Sequence, residues 1–185
     1  VATEELADSV RLRIHGALVT MPHKVAVVDL LDESSTPVKI AGSCNALLLR
    51  PDGTLVGDMF DGAGFARGLK RKGFVIAGAS CLVVGAGGVG SAIAASLAAE
   101  GPASISLFDT HVAAAEGLAA RLREHYPRIA VDLRSNDPAG YDLVVNGTPL
   151  GMKPGDPLPL DVTRLSPATF VGEVVMKQEI TPLLQ

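Results

Sequence analysis

Ser80-Cys81-Leu82-Val83-Val84-Gly85-Ala86-Gly87-Gly88-Val89-Gly90-Ser91-Ala92-Ile93-Ala94-Ala95-Ser96-Leu97-Ala98-Ala99-Glu100 is the stretch on which the fold turns. Residues 81–84 are an apolar run short enough for a buried strand, and residues 91–100 are an Ala-rich helix. Between them Gly85, Gly87 and Gly90 keep the Gly-x-Gly-x-x-Gly spacing. In a chain with 20 glycines that spacing alone is weak, but its place between a strand and a helix gives it weight. Gly85 permits a tight turn, Gly87 offers a diphosphate close approach to the backbone, and Gly90 lets helix and strand pack together. The helix start supplies unpaired N–H groups and the positive end of a dipole, so Gly85, Ala86, Gly87, Gly88, Val89 and Gly90 are the candidate cofactor loop.

Working outward, a strand over 104–108 closes a βαβ unit and ends at Asp109, 19 residues after Gly90. A carboxylate there suits the ribose hydroxyls of NAD and repels a 2′-phosphate, and no arginine follows at Thr110 or His111, so NAD is expected over NADP. A helix is expected over 112–125, with strands over 129–133, 143–146 and 170–175. That alternation implies a parallel sheet with helices on both faces. Upstream the pattern predicts a helix over 4–13 broken by Gly16, a strand over 17–20 and a helix over 25–31. A Ser/Thr/Pro loop follows, then apolar segments over 40–44 and 46–50. The turn Pro51-Asp52-Gly53 makes a hairpin with 54–56, and a helix runs over 61–71.

Composition narrows the class. Hydrophobic residues at 48% and charged residues at 19% describe a packed domain, and a net charge of -4 with no basic run longer than Lys70-Arg71-Lys72 leaves no footprint for nucleic acid or an anionic membrane. Cys44 and Cys81 stand far apart, and His15, His23, His111 and His125 show no ligand spacing, so no metal site is expected. No apolar stretch is long enough to span a bilayer and no signal peptide opens the chain, so a cytoplasmic location and a small-molecule partner are expected, with a homodimer as the candidate assembly.

Motifs outside the glycine loop resemble one family, the shikimate and quinate dehydrogenases. Val19-Thr20-Met21-Pro22-His23-Lys24 is similar to its Val-Thr-x-Pro-x-Lys, and Asn146-Gly147-Thr148-Pro149-Leu150-Gly151-Met152 to its Asn-Ala-Thr-Pro-Leu-Gly-Met. Asp61-Gly62-Ala63-Gly64-Phe65 and Thr181-Pro182-Leu183-Leu184 follow in the family's order. The resemblance implies an α/β fold: a three-layer Rossmann dinucleotide-binding domain over 77–185 and an α/β substrate-binding domain over 1–76, the latter incomplete at its N-terminal part. It implies an enzyme, an NAD(P)-dependent oxidoreductase that interconverts a ring hydroxyl and a ketone of a hydroxy acid. Lys24 and Asp61 would form the catalytic pair, Thr20 and Asn45 would bind substrate, and Asn146, Thr148, Pro149, Leu150 and Val174 would line the cofactor.

The chain also departs from the family. Met59-Phe60 precede Asp61 in place of Asn-Thr, Ala46 follows Asn45 in place of Thr, and Met176 stands where a tyrosine is usual. Each swap removes a hydrogen-bonding group, which predicts a pocket less suited to hydroxyl-rich substrates. Two alternatives stay open: a dehydrogenase of the same build for a less polar or amino-substituted substrate, and a non-catalytic dinucleotide-binding regulatory module.

Overall fold

The computed structural model describes residues 15–185, and the helix expected over 4–13 lies outside them. Two sheets organise the molecule. The first holds β1 (Gly16–Leu18), β2 (Glu33–Ser34), β3 (Ala46–Leu49) and β4 (Leu55–Asp58) in the order β1-β3-β4-β2. The expected hairpin is present, with Ala46 opposite Asp58 and Leu49 opposite Leu55. This register matters for function because the β3 and β4 ends, at Ala46 and Asp58, bring Asn45 close to the start of the next helix, α2 (Asp61–Arg71).

Two local expectations in this region give way, and one short strand was not expected at all. The segment over 25–31 is a short 3-10 helix, Ala26–Leu30, not a full α-helix. The two-residue β2 pairs in parallel with β4. The loop and strand expected over 32–44 contain α1 (Thr36–Ala41) instead. Ser35 caps α1, its Oγ accepting from Val38 N, and Gly42 ends it at φ 65°, a left-handed conformation that glycine takes without strain. Six residues cannot hold a helix by propensity, so packing decides the matter. Val38, Ile40 and Ala41 are buried against the helices that follow, and Arg121 donates to the Ile40 carbonyl at 2.6 Å.

The second sheet is all parallel, in the order β7-β6-β5-β8-β9, with β5 Ser80–Val84, β6 Ser104–Phe108, β7 Ala130–Leu133, β8 Leu143–Asn146 and β9 Phe170–Glu173. Helices α3 (Gly88–Ala99) and α4 (Val112–His125) join its first three strands. Because strand side chains alternate, Cys81, Val83, Ile105, Leu107 and Val145 face the helices and share a core with Ile93, Leu97, Leu118 and Leu122. Leu82, Val84 and Val144 face the other way and are covered by Leu160 and Leu183. That third layer is built from loop and the 3-10 segments Val162–Arg164 and Pro182–Leu184.

The two sheets are joined by close helix contacts. A methyl group on Gly62 of α2 would lie 1.9 Å from the Ala92 carbonyl oxygen of α3, so the backbones touch where only hydrogen fits. Ala92 itself packs in the core of the small sheet with Val27, Val38 and Met59.

Candidate active site

The strand order places a crevice beyond the C-terminal ends of β5 and β8, where the connections diverge, the position at which open α/β sheets bind ligands. The glycine loop sits there. Gly85 has φ 101°, and a Cβ on it would meet the Gly147 backbone at 2.8 Å. A Cβ on Gly90 would lie 1.9 Å from the Gly85 carbonyl oxygen, so Gly90 packs the helix start beneath the turn. A Cβ on Gly87 would meet nothing within 4 Å: the space in front of the first turn of α3 is open. Ala86 is buried, and its N–H donates to Asp109 Oδ2 at 2.6 Å; Asp109 Oδ1 accepts from His111 N at 2.8 Å. Asp109 thus ties the loop to the end of β6, while each carboxylate oxygen keeps lone-pair capacity for a further donor.

These residues fit a dinucleotide. The helix starts from Gly87, and its first-turn N–H groups have no acceptor within the helix. A cavity of about 230 Å³ runs past Gly87, Gly88, Val89, Thr148 and Pro149 and reaches Lys24.

Asn146 is fully buried and works from behind this wall. Its amide donates to the Leu150 carbonyl and to Glu173, and its Oδ1 accepts from Thr148 N at 3.0 Å and from the Thr148 hydroxyl at 2.6 Å. That side chain and the Thr148 hydroxyl, which accepts from Leu150 N at 3.1 Å, hold the turn carrying Thr148, Pro149 and Leu150 in shape. Glu173, at the end of β9, also accepts from Val174 N, Val175 N and the Thr181 hydroxyl, which seats the Thr181-Pro182-Leu183-Leu184 segment against the sheet.

Lys24 follows β1 and the cis Met21–Pro22 bond, and the turn carrying it is pinned where Cys44 N donates to the Lys24 carbonyl at 2.7 Å. Its ammonium pairs with Asp61 Oδ2, with only 13% of the lysine side chain exposed. Asn45 donates to Asp61 Oδ1 at 2.6 Å and accepts from Phe60 N at 2.9 Å, so it both orients the carboxylate and fixes the start of α2. A second cavity, about 510 Å³, includes Lys24 and Asp61 and extends over Phe65, Glu173, Met176 and Lys177. Both cavities share Met21, Lys24, Val89, Met152 and Val174.

Some expected site residues stand elsewhere. Thr20 is exposed and lines neither cavity. Met59, expected to thin the polar lining, is 2% exposed in the core of the small sheet and does not face the cleft; half-exposed Phe60 lines neither cavity. Sequence reasoning passed over Met21, Phe65, Met152 and Ser43. Ser43 is fully buried and donates to the Gly88 carbonyl at 2.9 Å, joining the small-sheet region to the glycine loop. Met21, Phe65 and Met152 were within quoted motifs, whereas Ser43 carries no local signal.

Comparison with known proteins bears on this arrangement. A family model for the shikimate dehydrogenase substrate-binding domain matches residues 2–47. The NADP(+) shikimate dehydrogenase of Geobacter sulfurreducens is 37% identical over 99% of this chain and 68% of its own length. The chain belongs to the shikimate and quinate dehydrogenase family. Among solved structures, shikimate 5-dehydrogenase from Listeria monocytogenes, in complex with shikimate and NAD, superposes with a TM-score of 0.86 at 31% identity, covering 100% of this chain and 69% of that one. The ligand-free 5-ketofructose reductase of Gluconobacter sp. strain CHM43 gives 0.79 at 29%, covering 93% and 64%. Membership of the family makes the chain a shikimate/quinate dehydrogenase-type oxidoreductase with a nicotinamide dinucleotide as its cofactor. The named cofactor differs between these relatives, NADP(+) in one and NAD in another.

Proposed function

We propose that this protein is an NAD-preferring dehydrogenase that interconverts a hydroxyl and a ketone on the ring of shikimate, quinate or a related hydroxy acid, with Lys24 and Asp61 as its catalytic pair. The observation that carries the reading is the position of Lys24, which lines both the cavity in front of the glycine loop and the cavity containing Asp61. A substrate beside Asp61 and a nicotinamide beside Thr148 and Val174 would meet at that lysine.

The bound dinucleotide supplies a hydride acceptor or donor. In the direction of hydroxyl oxidation, the uncharged Lys24 amine takes the hydroxyl proton at Nζ, and Asp61 holds the resulting ammonium in place. Asn45 keeps Asp61 turned toward the lysine by occupying the other carboxylate oxygen. The apolar side chains Met21, Phe65, Val89 and Met152 limit water around the reacting carbon. The boundary between the substrate and dinucleotide portions falls near residue 76, just ahead of β5. Asn146, with no exposed surface, serves the cofactor indirectly by holding Thr148 and Leu150.

The preference for NAD rests on Asp109, whose carboxylate at the end of β6 would stand against a 2′-phosphate. A second reading, reduction of a ketone on an uncharged polyol, draws on the likeness to a 5-ketofructose reductase. Steady-state turnover of shikimate, quinate and 5-ketofructose with NAD and NADP, in both directions, separates the two. Turnover of the acids with NAD is expected, and the lack of any calorimetric heat from either dinucleotide overturns both readings.

A further inference from the structure

Ser43 is fully buried, and its hydroxyl donates to the Gly88 carbonyl at 2.9 Å, across 45 positions of sequence. Gly88 is the first residue of α3, and α-helical geometry already gives its carbonyl the N–H one turn on, so the second donor is not needed to satisfy it. What the extra bond does is directional. In a trans peptide the carbonyl of one residue and the N–H of the next point in opposite directions, so a hydroxyl that fixes the Gly88 carbonyl also fixes the Val89 N–H. That N–H belongs to the first turn, has no acceptor within the helix and points back out of the helix start, where a Cβ on Gly87 would meet nothing within 4 Å. Val89 lines both cavities. The contact is close as well as bonded. A Cβ on Gly88 would lie 3.6 Å from Ser43 Cβ and 3.7 Å from Lys24 Cβ, so the start of α3 rests on both side chains.

The segment that carries Ser43 is anchored on both sides of it. Arg121 of α4 donates to the Ile40 carbonyl at 2.6 Å, Cys44 N donates to the Lys24 carbonyl at 2.7 Å, and Asn45 donates to Asp61 at 2.6 Å. We propose that Ser43 is a positioning residue that holds the Val89 N–H in the orientation that receives a dinucleotide diphosphate, and so sets the cofactor's grip from the same segment that places Lys24 and Asp61. The proposal rests on the dehydrogenase reading for its ligand class. Ser43 touches none of the reacting atoms and acts through the Gly88–Val89 peptide. Loss of its hydroxyl leaves the Gly88 carbonyl satisfied within the helix, so Ser43→Ala costs the preorganisation of one amide and keeps the fold.

Calorimetric titration of the wild-type protein, Ser43→Ala and Ser43→Thr with NAD and NADP tests this. Freeing one phosphate-facing amide corresponds to about a three- to tenfold weaker Kd for whichever dinucleotide the wild type binds. Ser43→Ala should show that rise while KM for shikimate or quinate, at saturating dinucleotide, stays within about twofold of the wild type. Ser43→Thr restores the donor and should return Kd toward the wild-type value. In the free protein the NMR order parameter of the Val89 amide should fall in Ser43→Ala while that of Leu107 in β6 holds. A wild-type dinucleotide Kd in Ser43→Ala overturns the proposal even where the melting temperature drops, and so does a rise of Kd and acid KM by one common factor, the mark of general loosening. Should the added methyl of Ser43→Thr unfold the protein, the Kd and the Val89 order parameter of Ser43→Ala decide by themselves. If the wild type binds a dinucleotide but turns over neither acid, the catalytic reading fails and the Kd ratio still decides the role of Ser43; if it binds neither dinucleotide, both fall.

Discussion

The Asn45 amide donates to Oδ1 of Asp61 at 2.6 Å, on the carboxylate oxygen that Lys24 does not use. The residue just ahead of β3 and the first residue of α2, 16 positions apart, are thereby locked around one carboxylate. Losing a hydrogen bond to a charged group costs about 1.5–3 kcal/mol, so Asn45→Ala should lower kcat/KM by about 10- to 100-fold. Lys24→Ala removes the proposed proton acceptor itself and should cost several orders of magnitude in kcat, with a much smaller effect on dinucleotide Kd. Stopped-flow turnover with parallel binding titrations checks both, and wild-type turnover in Lys24→Ala would remove this lysine from the mechanism.

Asp109 holds Ala86 N, and in the proposed function it would also oppose a 2′-phosphate. Asp109→Asn keeps an acceptor for the loop and removes the charge. The ratio of kcat/KM for NAD over NADP should fall by about tenfold, corresponding to about 1.4 kcal/mol of relieved repulsion. A ratio that does not move would assign Asp109 to loop positioning alone.

Two glycines on α2 make opposite predictions. A methyl on Gly62 collides with the Ala92 carbonyl oxygen, and backbone cannot yield as a side chain can, so Gly62→Ala should destabilise by about 3 kcal/mol or more. Gly64, two residues on, has nothing within 4 Å of such a methyl, and Gly64→Ala should stabilise by about 0.5–1 kcal/mol through helix propensity. Urea denaturation of both variants measures the contrast, and equal effects would contradict the close approach of α2 and α3.

Burial pushes the Cys81 thiol up to about 12, with the nearby Asp142 charge acting in the same direction, and burial also raises Cys44. The folded state therefore binds the Cys81 proton more tightly than the unfolded chain, whose value is 9.0. The associated stability is fully present below pH 9 and is lost as pH rises toward 12, with a slope of up to about 1.4 kcal/mol per pH unit from this group. Denaturation midpoints between pH 8 and 11 should fall accordingly, and a chromogenic disulfide reagent at pH 8 should label neither thiol until the protein unfolds.

Residues 80–146 were legible because their signals are local. A buried strand, a glycine turn and an Ala-rich helix each declare themselves within a few positions, and β6 and α4 fall where periodicity and charge put them. The Lys24–Asp61 pair was legible only through a motif, since nothing in the spacing of the two residues says that they touch. Met59 shows the converse: beside Asp61 in sequence it looks like a cleft residue, yet strand alternation turns it into the core.

What the amino-acid order determined by itself is therefore the region of the parallel sheet: its strands, its glycine loop and the acidic residue that follows. Backbone conformation there depends on glycine freedom and short-range burial, which neighbours in sequence dictate. Tertiary structure alone decided that Thr36–Ala41 is helical, that Ser43 reaches Gly88, that Asn146 and Glu173 brace the Thr148 turn, and that Lys24 stands where two cavities meet. Those features arise from contacts between segments tens of residues apart, and their free energy exists only once both segments have been brought together.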